Sequence, residues 1–417
     1  MAQPALQSFK RRGFAIKAEV TEGTDSVPTS AANAFRLFDG QSAIEHDVIE
    51  RPVDSDVFGH DPFVVNNQRV MVEGDIELIP PVTPGDAGAD GSAACRHVLF
   101  VCGIDETKTA TDDLTEYTLL SSSIPSGSMY FWHAGTVKRG LGSRGDLSGL
   151  TMAIGDRFKA RLRLQGSYDE HTEEALPSDF DYSAFTVPTV SRKDNSIMRA
   201  ATLTGGYVHL RAKSLSVDFN NGLQTKEFTQ FGTTSITERK PVATLRFARQ
   251  SNADINFHSL RDAGTYIKAD YTVIEGDGRY SRLKVRGQIE NIQDIDIEGD
   301  HGYEVTVRCI PSDTGGDEVV VEFGTSTVQL LGDYADGEDG VAYSSEIRFR
   351  GAPWTRPTFS VQSGTLPTGT SLNTATGVVS GTPSAAATYV FVIRATWTDA
   401  AGATQTADSA SQSVDIV

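Results

Sequence analysis

From Phe158 to Leu164 apolar and charged residues alternate without a break. Phe158, Ala160, Leu162 and Leu164 share one face, and Arg157, Lys159, Arg161 and Arg163 share the other, which predicts a half-buried strand. A Gly155-Asp156 turn leads into it. The pattern recurs after Gly299-Asp300, where Tyr303, Val305 and Val307 alternate with Glu304, Thr306 and Arg308. Upstream, residues 129–150 lie over residues 271–292 without a gap. The overlay places Arg144-Gly145 on Arg286-Gly287, Leu147 on Ile289 and Leu150 on Ile292. Identity is sparse, but the overlay points to an internal duplication.

The remaining periodicity fills in both halves. Residues 17–37 read as a strand, a turn and a second strand, and 69–79 as a strand with Val70, Val72, Ile76 and Leu78 inward. Residues 80–92, rich in Pro, Gly and Asp, form a loop. Residues 93–102 predict a short helix, 117–120 and 129–132 strands, and the Gly-rich 137–149 a long hairpin or loop. In the second half, 215–219, 242–247, 266–274 and 280–285 read as strands, and 252–262 as a short helix capped by Asn252. Strand, short helix, hairpin and repeated strand thus follow one another twice. The acidic run 168–182, which contains no base, reads as a solvated link between the copies.

After residue 340 the composition changes. Charge falls, Ser, Thr and Ala rise, and Tyr389, Phe391, Ile393, Ala395 and Trp397 line one strand face. Short strands with turn signals predict a small β-sandwich. The expected division is a 1–16 arm, a first β domain with acidic linker at 17–182, a second at 183–325, a linker at 326–340 and a sandwich at 341–417. The arm, with Phe9, Phe14 and Ile16 around Lys10-Arg11-Arg12, reads either as a frayed end or as a segment docking on a neighbour.

Composition narrows the function. At 417 residues the chain exceeds a single core. No apolar run reaches the roughly 18–20 residues that cross a bilayer. Nor does residues 13–16 make a signal-peptide core, so assembly in the cytoplasm is expected. Three cysteines give no disulfide framework. Cys95, His97 and Cys102 match no standard zinc spacing, and buried thiols are the expectation. The formal net charge is −18; residues 326–417, with eight acids and four bases, carry −4 of it, leaving −14 on the first 325. Such a surface repels phosphate, so it could surround nucleic acid without holding it.

No catalytic constellation emerges, and neither cofactor nor metal is expected. Gly140-Leu141-Gly142-Ser143-Arg144-Gly145 fits G-x-G-x-x-G but lacks the strand–loop–helix context. The tripeptide Arg144-Gly145-Asp146 is too short to argue adhesion. The basic face Arg157, Lys159, Arg161 and Arg163 is either an exposed edge or a surface for a neighbour's acids. The acidic stretch Glu290, Asp294, Asp296, Glu298 and Asp300 is its candidate partner at a subunit interface.

Two resemblances follow from these residues. Residues 364–373 (Gly-Thr-Leu-Pro-Thr-Gly-Thr-Ser-Leu-Asn) and 376–383 (Thr-Gly-Val-Val-Ser-Gly-Thr-Pro), with Tyr389, closely resemble the Ig-like domain carried as an accessory module by bacterial and phage surface proteins. The first 325 residues resemble the major tail tube protein of long-tailed bacteriophages. The carrying features are Glu19-x-x-Glu22-Gly23-Thr24-Asp25-x-x-Pro28, Ala32-Asn33-Ala34, Phe58-Gly59, residues 99–103, Arg144-Gly145, the Gly155-Asp156 strand and Thr237-Glu238-Arg239-Lys240-Pro241. The resemblance implies a mainly β chain: duplicated β-barrel or sandwich domains with short helices, plus a C-terminal Ig-like sandwich. It implies a structural subunit, not an enzyme, that assembles with itself into stacked rings. Those rings would be trimeric with duplicated domains, or hexameric. Tape measure, terminator and tip proteins would be further partners. Double-stranded DNA would transit an acidic lumen, and the Ig-like domain would touch host-surface glycans. The alternative is an adhesin or carbohydrate-binding module.

Overall fold

A computed structural model describes residues 12–50, 63–88, 91–110, 113–203, 205, 207–228, 231–275, 278–325, 329–331, 334–350, 357–398 and 403–417. Alternation sets most strands of the first half: β1 Arg12–Ala18, β2 Phe38–Glu50, β3 Phe63–Glu77, β4 Ile104–Thr109, β5 Leu114–Leu119, β6 Gly127–His133, β7 Thr136–Ala153 and β8 Lys159–Glu173. Two short helices interrupt them, α1 Ser30–Asn33 and α2 Arg96–Val101. The second half comprises β9 Ser196–Thr202, β10 Val208–Leu210, β11 Ala212–Asp218, β12 Leu223–Phe228, β13 Phe231–Ile236, β14 Val242–Ala248, α3 Phe257–Asp262, β15 Tyr266–Ile274, β16 Arg279–Ile297, β17 Asp300–Cys309 and β18 Val319–Thr325.

All of these strands except the β12–β13 hairpin join one antiparallel sheet. Within it the two halves share a pairing order. β1–β6–β7–β8–β3–β2 in the first is matched by β9–β15–β16–β17–β14–β11 in the second. Register matches too. Gly145↔Leu164, Leu147↔Leu162 and Thr151↔Lys159 in the first half have the counterparts Gly287↔Cys309, Ile289↔Val307 and Gln293↔Glu304. Each β16 residue is its β7 counterpart plus 142, and each β17 residue its β8 counterpart plus 145. Likewise Ala18↔Gly127 and Ile16↔Met129 correspond to Ala200↔Ala269 and Met198↔Tyr271.

The glycines shared by the overlay now have a reason. A Cβ on Gly287 would lie 1.8 Å from the Arg308 carbonyl oxygen, and one on Gly145 would lie 2.6 Å from Leu164 and 2.7 Å from the Cys102 sulfur. Neither position has room for a side chain.

A closed barrel was one expectation; the sheet instead runs open, from β10 to β2. A mismatch in strand length lets the sheet continue from one half into the other. β7 has 18 residues and β6 only seven, so β7 extends beyond its neighbour and pairs with β11 of the other half.

One continuous core runs under both halves, including Phe158, Ala160, Leu162 and Leu164 from β8 and Tyr303, Val305 and Val307 from β17. Residues 12–16, expected in an arm, belong to β1, where Phe14, Ala15 and Ile16 are buried; residues 1–11 lie outside the described residues. The second strand expected within 17–37 is instead the α1 turn, because the Thr29 hydroxyl accepts from Ala32 N and caps a helix. The Gly-rich 137–149 is extended strand. Helix α3 starts later than predicted, with Asn256 rather than Asn252 accepting from Ser259 N. The acidic run from 168 is strand to Glu173, and its Phe180 and Tyr182 stack on each other and pack onto Trp132 and Phe185.

The C-terminal strands form separate small sheets: β19 Gln329–Leu331 with β21 Arg348–Arg350; β20 Tyr343–Glu346 with β24 Val378–Gly381 and β23 Thr370–Leu372; and β22 Thr358–Gly364 with β25 Ala387–Thr398, which also pairs β26 Thr404–Asp408 and β27 Gln412–Ile416. They enclose their own core of Tyr334, Tyr343, Phe359, Val379, Phe391, Ile393, Ala395 and Val414. Of the expected linker, residues 334–340 belong to this module. Tyr334 is buried there, donating to Gly377 O at 2.6 Å, and Gly337 bridges Ile416.

Candidate subunit interface

The junction between the halves shows how one such unit grips another. β7 pairs with β11 through Leu150↔Val217, Thr151↔Ser216, Met152↔Leu215 and Ala153↔Ser214. Leu150, Met152, Leu215 and Val217 are all buried, so the junction joins the core as well as the sheet. A second pairing, β18 with β5 from Gly324↔Leu114 to Val320↔Thr118, joins the halves elsewhere.

Polar groups fix the junction. Arg239, from the turn before β14, donates to the carbonyls of Leu120 (3.0 Å), Gly103 (3.1 Å) and Cys102 (3.3 Å) and to Asn221 Oδ1 (2.9 Å). Asn221 in turn donates to Gly145 O at 3.0 Å and Cys102 O at 3.1 Å. Burial pushes the Arg239 guanidinium down and the Asp146 carboxyl up from their usual values. The β12–β13 hairpin lies across the first half, with Gln165 donating to Thr225 at 2.6 Å. Arg144 reaches Glu22, Thr233 and the Ile124 carbonyl. Its side chain is therefore committed to internal contacts, in a tripeptide that lies within β7.

At the β16–β18 contact, Glu322 is buried with Arg282 at 2.8 Å and Lys284 beside it. Burial raises its carboxyl, but the two cations outweigh that and hold it below the usual carboxylate range.

The charged residues expected at an interface have partners in their own chain. Arg157 pairs with Glu77 (2.9 Å), Lys159 with Asp156 (2.6 Å), Arg161 with Asp75 (3.2 Å) and Glu73 (3.4 Å), and Arg163 with Glu73 (3.4 Å). Of the acids, Glu290 pairs with Arg308, Asp294 with His301 at 2.8 Å and Glu298 with Lys213, while Asp296 accepts from Gly299 N at 2.7 Å. Asp300 is exposed at the start of β17, opposite Ile297. The two sets do not meet within the chain. Sequence reasoning missed the β3 acids that pair with Arg157, Arg161 and Arg163, because cross-strand pairing depends on register.

Two features remain available to a neighbour. At Gly287 and Gln288, β16 pairs with β15 on one side and β17 on the other. Beyond Gln288 no described strand pairs with β16 on the β15 side, although helix α3 packs against β16, and the acids Glu290, Asp294 and Asp296 lie along this stretch. Among the described residues β2 pairs only with β3, and Phe38 at its start is 37% exposed. The far end of that hairpin also exposes Val48, Ile49, Phe63 and Val64, an apolar patch of the kind that marks interaction sites. Phe58-Gly59 lies outside the described residues.

Burial pushes the Cys95 thiol up to about 12, and Cys102 and Cys309 rise likewise. Burial, aided by Arg96, pushes His97 down to about 4, and its buried Nδ1 has no hydrogen-bond partner. Among the described residues no His, Cys, Asp and Glu cluster could hold a metal, and no helix is long and apolar enough to cross a membrane.

Comparison with known proteins identifies the C-terminal module. Residues 325–414 match the family described as Putative Ig domain, so this part of the chain is an Ig-like β-sandwich. The match begins ahead of residue 341, consistent with the packing of Tyr334 and Gly337. No curated protein matches the chain. Among solved structures, the protocadherin GammaB4 extracellular domain aligns over 92% of this chain and 80% of its own, at 8% identity and a TM-score of 0.15, and this likeness carries no argument.

Proposed function

We propose that the chain is a structural subunit of a phage tail tube, self-assembling into rings that stack into a hollow conduit for DNA ejection. The observation that supports this reading is the repeated pairing order, which gives one chain two matching β units; among the described residues β16 beyond Gln288 and β2 each have one side without a strand partner. Taken as a duplication, it means that three chains complete a ring of six units. The −14 on the first 325 residues suits a lumen through which DNA passes without adhering. Tape measure protein would fill the lumen before DNA, and terminator and tip proteins would cap the stack. Assembly takes place in the host cytoplasm, and the mature location is the virion tail. The Ig-like module decorates the outside and contacts host-surface glycans weakly. No catalytic step is part of this role.

Negative-stain electron microscopy of the purified chain tests the proposal. Rings or hollow tubes are expected. A chain that remains monomeric and binds glycans through residues 325–414 would instead support an adhesin-type module, the reading that the Ig-like match favours on its own.

A further inference from the structure

The junction inside the chain is a template for a junction between chains. β11 occupies the edge of β7 where β7 outruns β6. β16 outruns β15 in the same way, and among the described residues no strand pairs with its corresponding edge from Ile289 to Ile297. Adding 142 carries Leu150, Thr151, Met152 and Ala153 to Ile292, Gln293, Asp294 and Ile295.

The strand that should fill this edge follows from the same correspondence. Gly74↔Leu162 and Ile76↔Ala160 match Ala243↔Val307 and Leu245↔Val305, so β14 residues are β3 residues plus 169. Thr244 is then the counterpart of Asp75. Thr244 pairs with Ser216 and Asp75 pairs with Phe38, making Phe38 the counterpart of Ser216. The flanking segments agree as well. Ala34 bridges β1 at Ala15, much as β10 pairs with β9 just before β11. Within the chain, Ser216 pairs with Thr151, whose counterpart is Gln293.

We infer that residues 36–38 of one chain add to the free edge of β16 in a second copy, antiparallel, with Phe38 opposite Gln293, Leu37 opposite Asp294 and Arg36 opposite Ile295. The β16 edge and the entry to β2 present backbone groups with no described strand partner on that side, a template for pairing with another strand. A continuous sheet would then pass from chain to chain as it passes from half to half. The contact is head-to-tail, so repetition gives a ring where the rotation closes. The β18–β5 pairing has no counterpart in this scheme. β18 lies beside β16 at residues 279–285, a stretch whose β7 counterpart is covered by β8 itself. That pairing holds the two halves of one chain and leaves the β16–β2 edge as the contact that repeats. The inference rests on the self-assembly reading above, but its register stands or falls separately.

Disulfide trapping tests it. The native thiols are buried, so introduced cysteines report alone. Under mild oxidation the full chain with Phe38→Cys and Gln293→Cys should give covalent multimers on a non-reducing gel. Mixing the two single variants should stop at a covalent dimer, which tests the contact should the double variant fail to fold. Displacing one cysteine to Ile297 moves it about 13 Å along the strand. Because disulfides require Cβ atoms within about 4.5 Å, that pair should yield roughly tenfold less product. Rings that assemble without a 38–293 cross-link, or with a stronger one at 297, overturn the register and leave the tube reading standing. Covalent dimers without rings or tubes keep the pairing and remove the tube. Chains that neither cross-link nor assemble at high concentration contradict both.

Discussion

β7 and β16 are counterparts in register, yet their neighbours differ. One long strand, β8, covers β7 from Thr136 to Thr151, while β16 needs β17 for residues 287–297 and β18 for 279–285. On the other side, β11 completes the edge of β7, whereas that of β16 stays open. The two halves thus keep the same central pairing and diverge at their margins. Divergence at β18 ties the halves together, and the open edge leaves the chain able to add another.

The comparison breaks most easily at β18, which only the second half has. Glu322→Gln removes the buried counter-charge of Arg282 and leaves Lys284 with Glu116 alone. It should cost about 3–5 kcal/mol, read as a lower urea midpoint, and expose the β18–β5 joint first in hydrogen exchange. A loss under about 1 kcal/mol would mean that this joint is not held by charge.

Next in size is a pH effect confined to the first half. His97 titrates lower folded (about 4) than unfolded (6.5), so between those values the unfolded chain binds more protons. Stability should therefore fall as pH drops through about 6.5 and level off below about 4, by at most roughly 3 kcal/mol. His97→Gln should flatten that part of the profile; an unchanged slope would assign it to carboxylates.

Substitutions at matched positions then sharpen the comparison. Gly145→Ala and Gly287→Ala should each destabilise by about 1–3 kcal/mol, as overpacking does. Gly287→Ala should cost more, because its clash is with rigid backbone and that of Gly145 is with side chains. Equal tolerance at both positions would remove the steric reason for the shared glycine. The smallest effect is expected on the charged face of β8. Arg161→Ala removes a half-exposed pair with Asp75 and should shift stability by less than about 1 kcal/mol without changing assembly.

Where apolar and polar residues alternate the sequence was readable. Residues 266–274 were bounded correctly because Ile267, Ala269, Tyr271 and Val273 alternate with polar residues, even though Asp270 and Thr272 on the other face are buried as well. The strand over 137–149 was not, because Gly140, Gly142, Gly145 and Gly149 dilute its period and its pairing depends on distant segments. The acidic character of 168–182 hid Phe180 and Tyr182, two rings that cover Trp132 and Phe185. The candidate interface was legible only in part. Glu290, Asp294 and Asp296 lie along the stretch of β16 beyond β15, while the cations expected as their partners pair within the chain, Arg157, Arg161 and Arg163 with Glu77, Asp75 and Glu73 and Lys159 with Asp156. What sequence could not convey is which edge stays open, since that depends on β7 and β16 outrunning β6 and β15.

Mass measurement on assembled rings tests the central claim most directly. Three chains of 44.9 kDa per ring, with six equal lobes in projection, is the predicted result. Six chains per ring, or a monomer at every concentration, would contradict the claim that each chain supplies two units of one closed assembly.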